Sequence, residues 1–108
     1  MPEMCQLSIN VPKSITQELM SHLLLIPDVI SGCTTVHSLG FGRRQHYRNL
    51  QEQIRGATER NLVIIILSVK HIDTVIAHIN QQFNGTELFY WAIPLLTHGY
   101  LANGEYSA

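Results

Sequence analysis

The chain has 108 residues, enough for one domain with one core; 45% are hydrophobic and only 14% charged, so little polar surface is on hand to cover the outside and self-association is expected. The formal charge of -1 excludes general nucleic-acid or membrane-surface binding, which both need a basic excess. The N-terminal MPEMCQLSIN lacks the basic run and apolar stretch of a signal peptide, and the longest apolar run, Leu62 to Leu67, is too short to cross a bilayer. Two cysteines, Cys5 and Cys33, form no CxxC, so a reducing cytoplasm is the expected setting and direct membrane insertion is not expected.

In chain order, Met4 to Val11 alternate as a strand does, with Cys5, Leu7, Ile9 and Val11 on one face, and Pro12 ends it. Ser14 and Gln17 fit a capping box ahead of a helix carrying Ile15, Leu19, Met20, Leu23 and Leu24 at helical spacing, which Pro27 stops. Cys33 to Phe41 reads as the second strand, β-branched at Thr34, Thr35 and Val36 and bracketed by glycines. A long loop follows, holding Arg43, Arg44, Arg48, Arg55 and Arg60, five of the seven Lys and Arg side chains, with a short helix near Leu50 to Ile54. Small domains seldom carry so long a loop without a use for it.

Leu62 to Val69 is the third strand, apolar on both faces. A second helix runs from about His71 to Phe83 on a core face of Ile72, Val75, Ile76, Ile79 and Phe83, and Asn84-Gly85 stops it. Leu88 to Leu96, with Phe89, Tyr90 and Trp91 at its centre, is the fourth strand, and a small, turn-rich tail covers 97–108. The order β-α-β-β-α-β is the ferredoxin-like α+β sandwich: one four-stranded antiparallel sheet with two helices on one face, in a single domain over 1–108. Two helices leave the other face bare, and soluble monomers avoid an apolar patch of that size. A closed cyclic oligomer is therefore expected, with Tyr90 and Trp91 filling an interface.

Gly40-Phe41-Gly42-Arg43-Arg44-Gln45, followed by Arg55-Gly56-Ala57 and an apolar strand, resembles the PII signalling proteins, which read G-F-G-R-Q-K-G before their long T-loop and Y-R-G-A after it. The wider pattern, ending in Trp91-Ala92-Ile93-Pro94 and Gly99, is closer to a PII-like domain of unknown function often encoded beside heavy-metal efflux systems, and is similar to the CutA proteins too. The resemblance implies a homotrimer with sheets facing inward and clefts between subunits. It further implies a regulatory protein that binds a small effector, a nucleotide or other anion, near Gly42, Arg43, Arg44, Arg55 and Gly56. The T-loop-like segment, about 43–61, would control a partner protein, a membrane transporter being one candidate. Two departures matter. Gln81 to Glu87 stands where PII proteins have the phosphate-cradling T-G-x-x-G-D-G-K, so the usual ATP site does not carry over. Ile54 replaces the modifiable tyrosine, which excludes uridylylation there.

Weighed beside this is a divalent-metal-responsive protein, CutA-like in shape and linked to metal tolerance. Cys33 and His37 share a strand face but stand about 13 Å apart at ~3.3 Å per residue. His71 and His78 are two helical turns apart, again too far to share an ion. A metal site would have to assemble from different segments or subunits, with His37, His46 and His98 as candidates. No G-x-S-x-G, H-E-x-x-H or P-loop pattern occurs, so the expectation is a binding protein and not an enzyme.

Overall fold

The computed structural model describes residues 3–26, 29–30, 32–40, 58–85 and 87–101. Four strands, β1 (Met4–Pro12), β2 (Thr34–Gly40), β3 (Thr58–Ser68) and β4 (Phe89–Pro94), alternate with two helices, α1 (Thr16–Leu23) and α2 (Ile72–Gln82). The sheet order is β2-β3-β1-β4 and every pairing is antiparallel. This is the α+β sandwich expected from the order of elements.

The core is the inward face of the two central strands closed by the helices. Cys5, Leu7, Ile9 and Val11 of β1 and Val63, Ile65 and Leu67 of β3 are buried against Leu19 and Leu23 of α1 and Val75, Ile79 and Phe83 of α2. Each such side chain contributes about 1.5–3 kcal/mol on burial. Asn84-Gly85 ends α2 as expected: Gly85 sits at φ 87°, a left-handed geometry that glycine adopts without strain.

Three local readings need correction. The Ser14–Gln17 capping box does not start α1: a short 3-10 turn (Lys13–Ile15) comes first, Ile15 takes the cap position, and no side chain caps it. Strand β1 also includes Pro12, and Thr16 Oγ1 donates back to the Pro12 carbonyl at 3.0 Å. Strand β3 begins at Thr58, four residues before its apolar run, because Thr58 to Asn61 pair with Gly40 to His37 of β2. The connection expected over about 43–61 is thus shorter at its C-terminal end. The short helix near Leu50 to Ile54 lies outside the described residues.

The outer face of the sheet carries no helix among the described residues. Register places Thr34, Val36 and Ser38 of β2, Leu62, Ile64 and Ile66 of β3, Gln6, Ser8 and Asn10 of β1, and Phe89, Trp91 and Ile93 of β4 on it. Phe89 is 66% exposed, Ile93 46% and Val36 45%.

Candidate functional site

Gly42, Arg43, Arg44, His46, Arg55 and Gly56 lie outside the described residues, so the structure fixes only the two ends of the segment that holds them. Those ends meet: Gly40 pairs with Thr58 at the last rung of the β2–β3 ladder. The arginine-rich connection therefore leaves and returns at one point, beside the C-terminal end of β1. Lys13 and Glu59 form an ion pair there at 3.6 Å, and Asn61 Nδ2 donates to Thr16 Oγ1 at 3.0 Å.

Arg60 does something different from the other arginines. Its Nε donates to Asn10 Oδ1, and its Nη2 donates to the carbonyls of Asn10, at 3.2 Å, and of Glu87. The guanidinium thus spans from β3 across β1 to the turn that leads into β4. A charge-assisted bridge of this kind holds geometry that neutral contacts would leave slack. Sequence reading placed Arg60 in the loop; the signal for its real position was the parity of Arg60 with Leu62, Ile64 and Ile66.

Next to Glu87, on the helix side of the β4 edge, a groove of about 260 Å³ opens between the C-terminal end of α2 and the sheet. Asn80, Phe83, Asn84, Gly85, Leu88 and Tyr90 are among its walls, and none of its lining residues is charged. It is an uncharged groove of mixed polar and apolar lining, with the amides of Asn80 and Asn84 among its walls. Its chemistry suits the flat, apolar part of a ligand. Any negative charge on that ligand would need cations from elsewhere, and the neighbouring connection is where the sequence concentrates them.

The histidine candidates separate. His37 is on β2, at one edge of the sheet, level with Asn61 and Val11; His98 follows β4, at the opposite edge, beyond the level of Cys5. Three strand spacings of ~4.8 Å and six residues of ~3.3 Å keep those levels roughly 20 Å or more apart. Within one chain they do not share a site, and His46 is not described. No group of three or more His, Cys, Asp or Glu among the described residues could hold a metal ion. Burial pushes the thiols of Cys5 and Cys33 above their ordinary range, so neither is a ready thiolate. No described helix is long and apolar enough to cross a membrane.

No curated protein matches this chain. Solved structures do. A DUF3240 family protein from Shewanella baltica superposes with a TM-score of 0.77 at 16% identity, covering 94% of this chain and 100% of its own. CPII, a nitrogen regulatory PII-like protein from Thiomonas intermedia bound to ADP, AMP and bicarbonate, gives 0.69 at 10% identity, covering 91% of this chain and 96% of its own. PII from Arabidopsis thaliana, bound to citrate, gives 0.64 at 18% identity over 87% of this chain and 78% of its own. At these identities the likeness is one of fold, and that fold is PII-like. Residues 1–102 match the family described as "Protein of unknown function (DUF3240)", and the chain belongs to that family.

Proposed function

We propose that this chain is a PII-like regulatory protein that binds a small effector, a nucleotide or another anion, in clefts between subunits of a cytoplasmic homotrimer. The effector's charge meets Gly42, Arg43, Arg44, Arg55 and Gly56, and the connection between Gly40 and Thr58 carries the signal to a partner protein, a membrane transporter being one candidate. One observation carries this reading: the root of the arginine-rich connection and the uncharged groove lie at the same end of the sheet, and Arg60, two residues after the root, bonds the Glu87 carbonyl next to that groove. Support comes from the ligands of the two PII-like structures, ADP, AMP and bicarbonate in one and citrate in the other, all of which are anions.

The mechanism is a shift in population. An effector that binds one arrangement of the connection more tightly favours it, and one that binds both equally switches nothing. Arginine suits the task because its planar fork meets phosphate or carboxylate through two parallel hydrogen bonds. The outer sheet face is covered by the other two subunits, which is what brings clefts into being.

Limited proteolysis tests the reading. ADP, AMP, citrate or bicarbonate should change cleavage within the connection of the purified oligomer, and Arg43→Ala with Arg55→Ala should abolish the change. If no nucleotide or anion alters that cleavage, the effector mechanism fails. Binding of a divalent metal that is lost on His37→Ala, His46→Ala or His98→Ala would instead favour the metal-responsive reading.

A further inference from the structure

Two histidines on different helices lie close together on the helix layer. His22, in the last turn of α1, and His78, in the middle of α2, have ring centroids 6.1 Å apart with planes inclined at 53°. His22 also meets Phe83 edge-on, at 5.3 Å and 87°, and Phe83 is itself buried and held at the end of α2 by its N–H to the Ile79 carbonyl at 2.8 Å. The His22 ring is therefore oriented by packing. His78 Nε2 is buried and has no hydrogen-bond partner. Buried ring nitrogens nearly always have one, and an orphan is a place to look for an ion.

The spacing of the two rings fits a metal ion. A metal bound in the ring plane at ~2.0–2.1 Å from nitrogen stands about 3.2 Å from the ring centroid. Two imidazoles on one ion then have centroids about 5 to 6.4 Å apart, from a tetrahedral to a linear arrangement. The observed 6.1 Å falls in that range. An approach of under about 1 Å, within reach of small side-chain rotations, gives the tetrahedral value. Glu18 lies one helical turn before His22, on the same side of α1. No third His, Cys, Asp or Glu converges on the pair among the described residues, so water completes the coordination shell.

We propose that His22 and His78 form a two-imidazole site for a divalent late first-row cation such as zinc or copper, one per chain, which pins α1 to α2. Neutral imidazole is the ligand type these ions favour, and magnesium and calcium are excluded by the lack of clustered oxygen donors. The site shares one neighbour with the groove, Phe83, which His22 meets, but neither His22 nor His78 lines the groove itself. Failure of either proposal leaves the other standing.

Zinc chloride titrated into the full-length protein, followed by calorimetry, tests it. One zinc per chain is expected. Affinity should fall at least tenfold in H22Q and in H78Q and stay unchanged in H37A and H98A. Long-range proton–nitrogen spectra of the unmodified protein remove any doubt about variant folding: zinc should move the ring nitrogens of two histidines, and both signals should be absent from the spectra of the respective variants. No zinc bound, binding that survives both substitutions, or zinc shifts confined to other histidines overturns the proposal.

Discussion

The two faces of strand β3 are built from the same kinds of residue and meet different fates. On β3, Val63, Ile65 and Leu67 are at most 1% exposed, sealed by α1 and α2. Leu62, Ile64 and Ile66, interleaved with them, point the other way, where Ile66 is 40% exposed. Parity alone separates the two sets, since a strand's side chains alternate. On β4 the balance is reversed: the largest apolar groups, Phe89, Trp91 and Ile93, lie on the outer face. On the face its own helices do not cover, Leu62, Ile64 and Ile66 of β3 and Phe89, Trp91 and Ile93 of β4 flank Gln6, Ser8 and Asn10 of β1. An apolar face of that extent is the signature of a contact with another molecule, and sister chains are the occupants we propose.

Perturbing the two faces in parallel breaks or sharpens this contrast. The largest effect is expected from Ile64→Asp. A carboxylate placed at an interface between sheets costs several kcal/mol per copy, so the assembly should fall to smaller species in size-exclusion chromatography. Next comes Ile65→Ala, one residue away on the covered face. It should lower stability by about 2–5 kcal/mol in urea unfolding at any protein concentration. Ile64→Ala, by contrast, should show a cost that depends on protein concentration, because the partners we propose for it are in other chains.

Smaller effects come from the polar seams. Arg60→Ala removes charge-assisted bonds to Asn10 and Glu87 and should cost about 1–3 kcal/mol. It should also weaken any influence of an anion on proteolysis of the connection. Thr16→Val deletes the hydroxyl that bonds Pro12 and Asn61, for a cost of about 1 kcal/mol. The smallest effect is with pH. Burial raises the thiol pKa of Cys5 and Cys33 in the folded chain. The unfolded chain therefore loses those protons first as pH rises. The contribution to stability is full below the ordinary thiol range and is lost as pH climbs through the raised values. Urea midpoints measured from neutral to alkaline pH should decline less in a variant carrying Cys5→Ala and Cys33→Ala.

Much of the architecture was legible in the residues. Alternation at Cys5, Leu7, Ile9 and Val11 marked β1 and its buried face, and the Ile72, Val75, Ile76, Ile79 series marked α2. Ser14 misled because a capping box is a local pattern, and here β1 runs on through Pro12 into a 3-10 turn that shifts the start of the helix. Thr58 to Asn61 looked like loop because they are polar, yet the β2 ladder draws them into the sheet. Local sequence carries no information about a partner fifty residues away, which is why Arg60 meeting Asn10, and His22 meeting His78, were invisible until the fold brought them together. The arginine cluster and its flanking glycines gave the candidate site its chemistry; the groove beside Asn84 and Tyr90 needed the structure.

Sedimentation velocity on the unmodified protein, run down to sub-micromolar concentration, bears most directly on the uncovered sheet face. A single folded species of three chain masses is expected, persisting on dilution. Folded, well-dispersed single chains under those conditions would contradict it, for the face of Ile64, Trp91 and Ile93 would then be stable against water with nothing upon it.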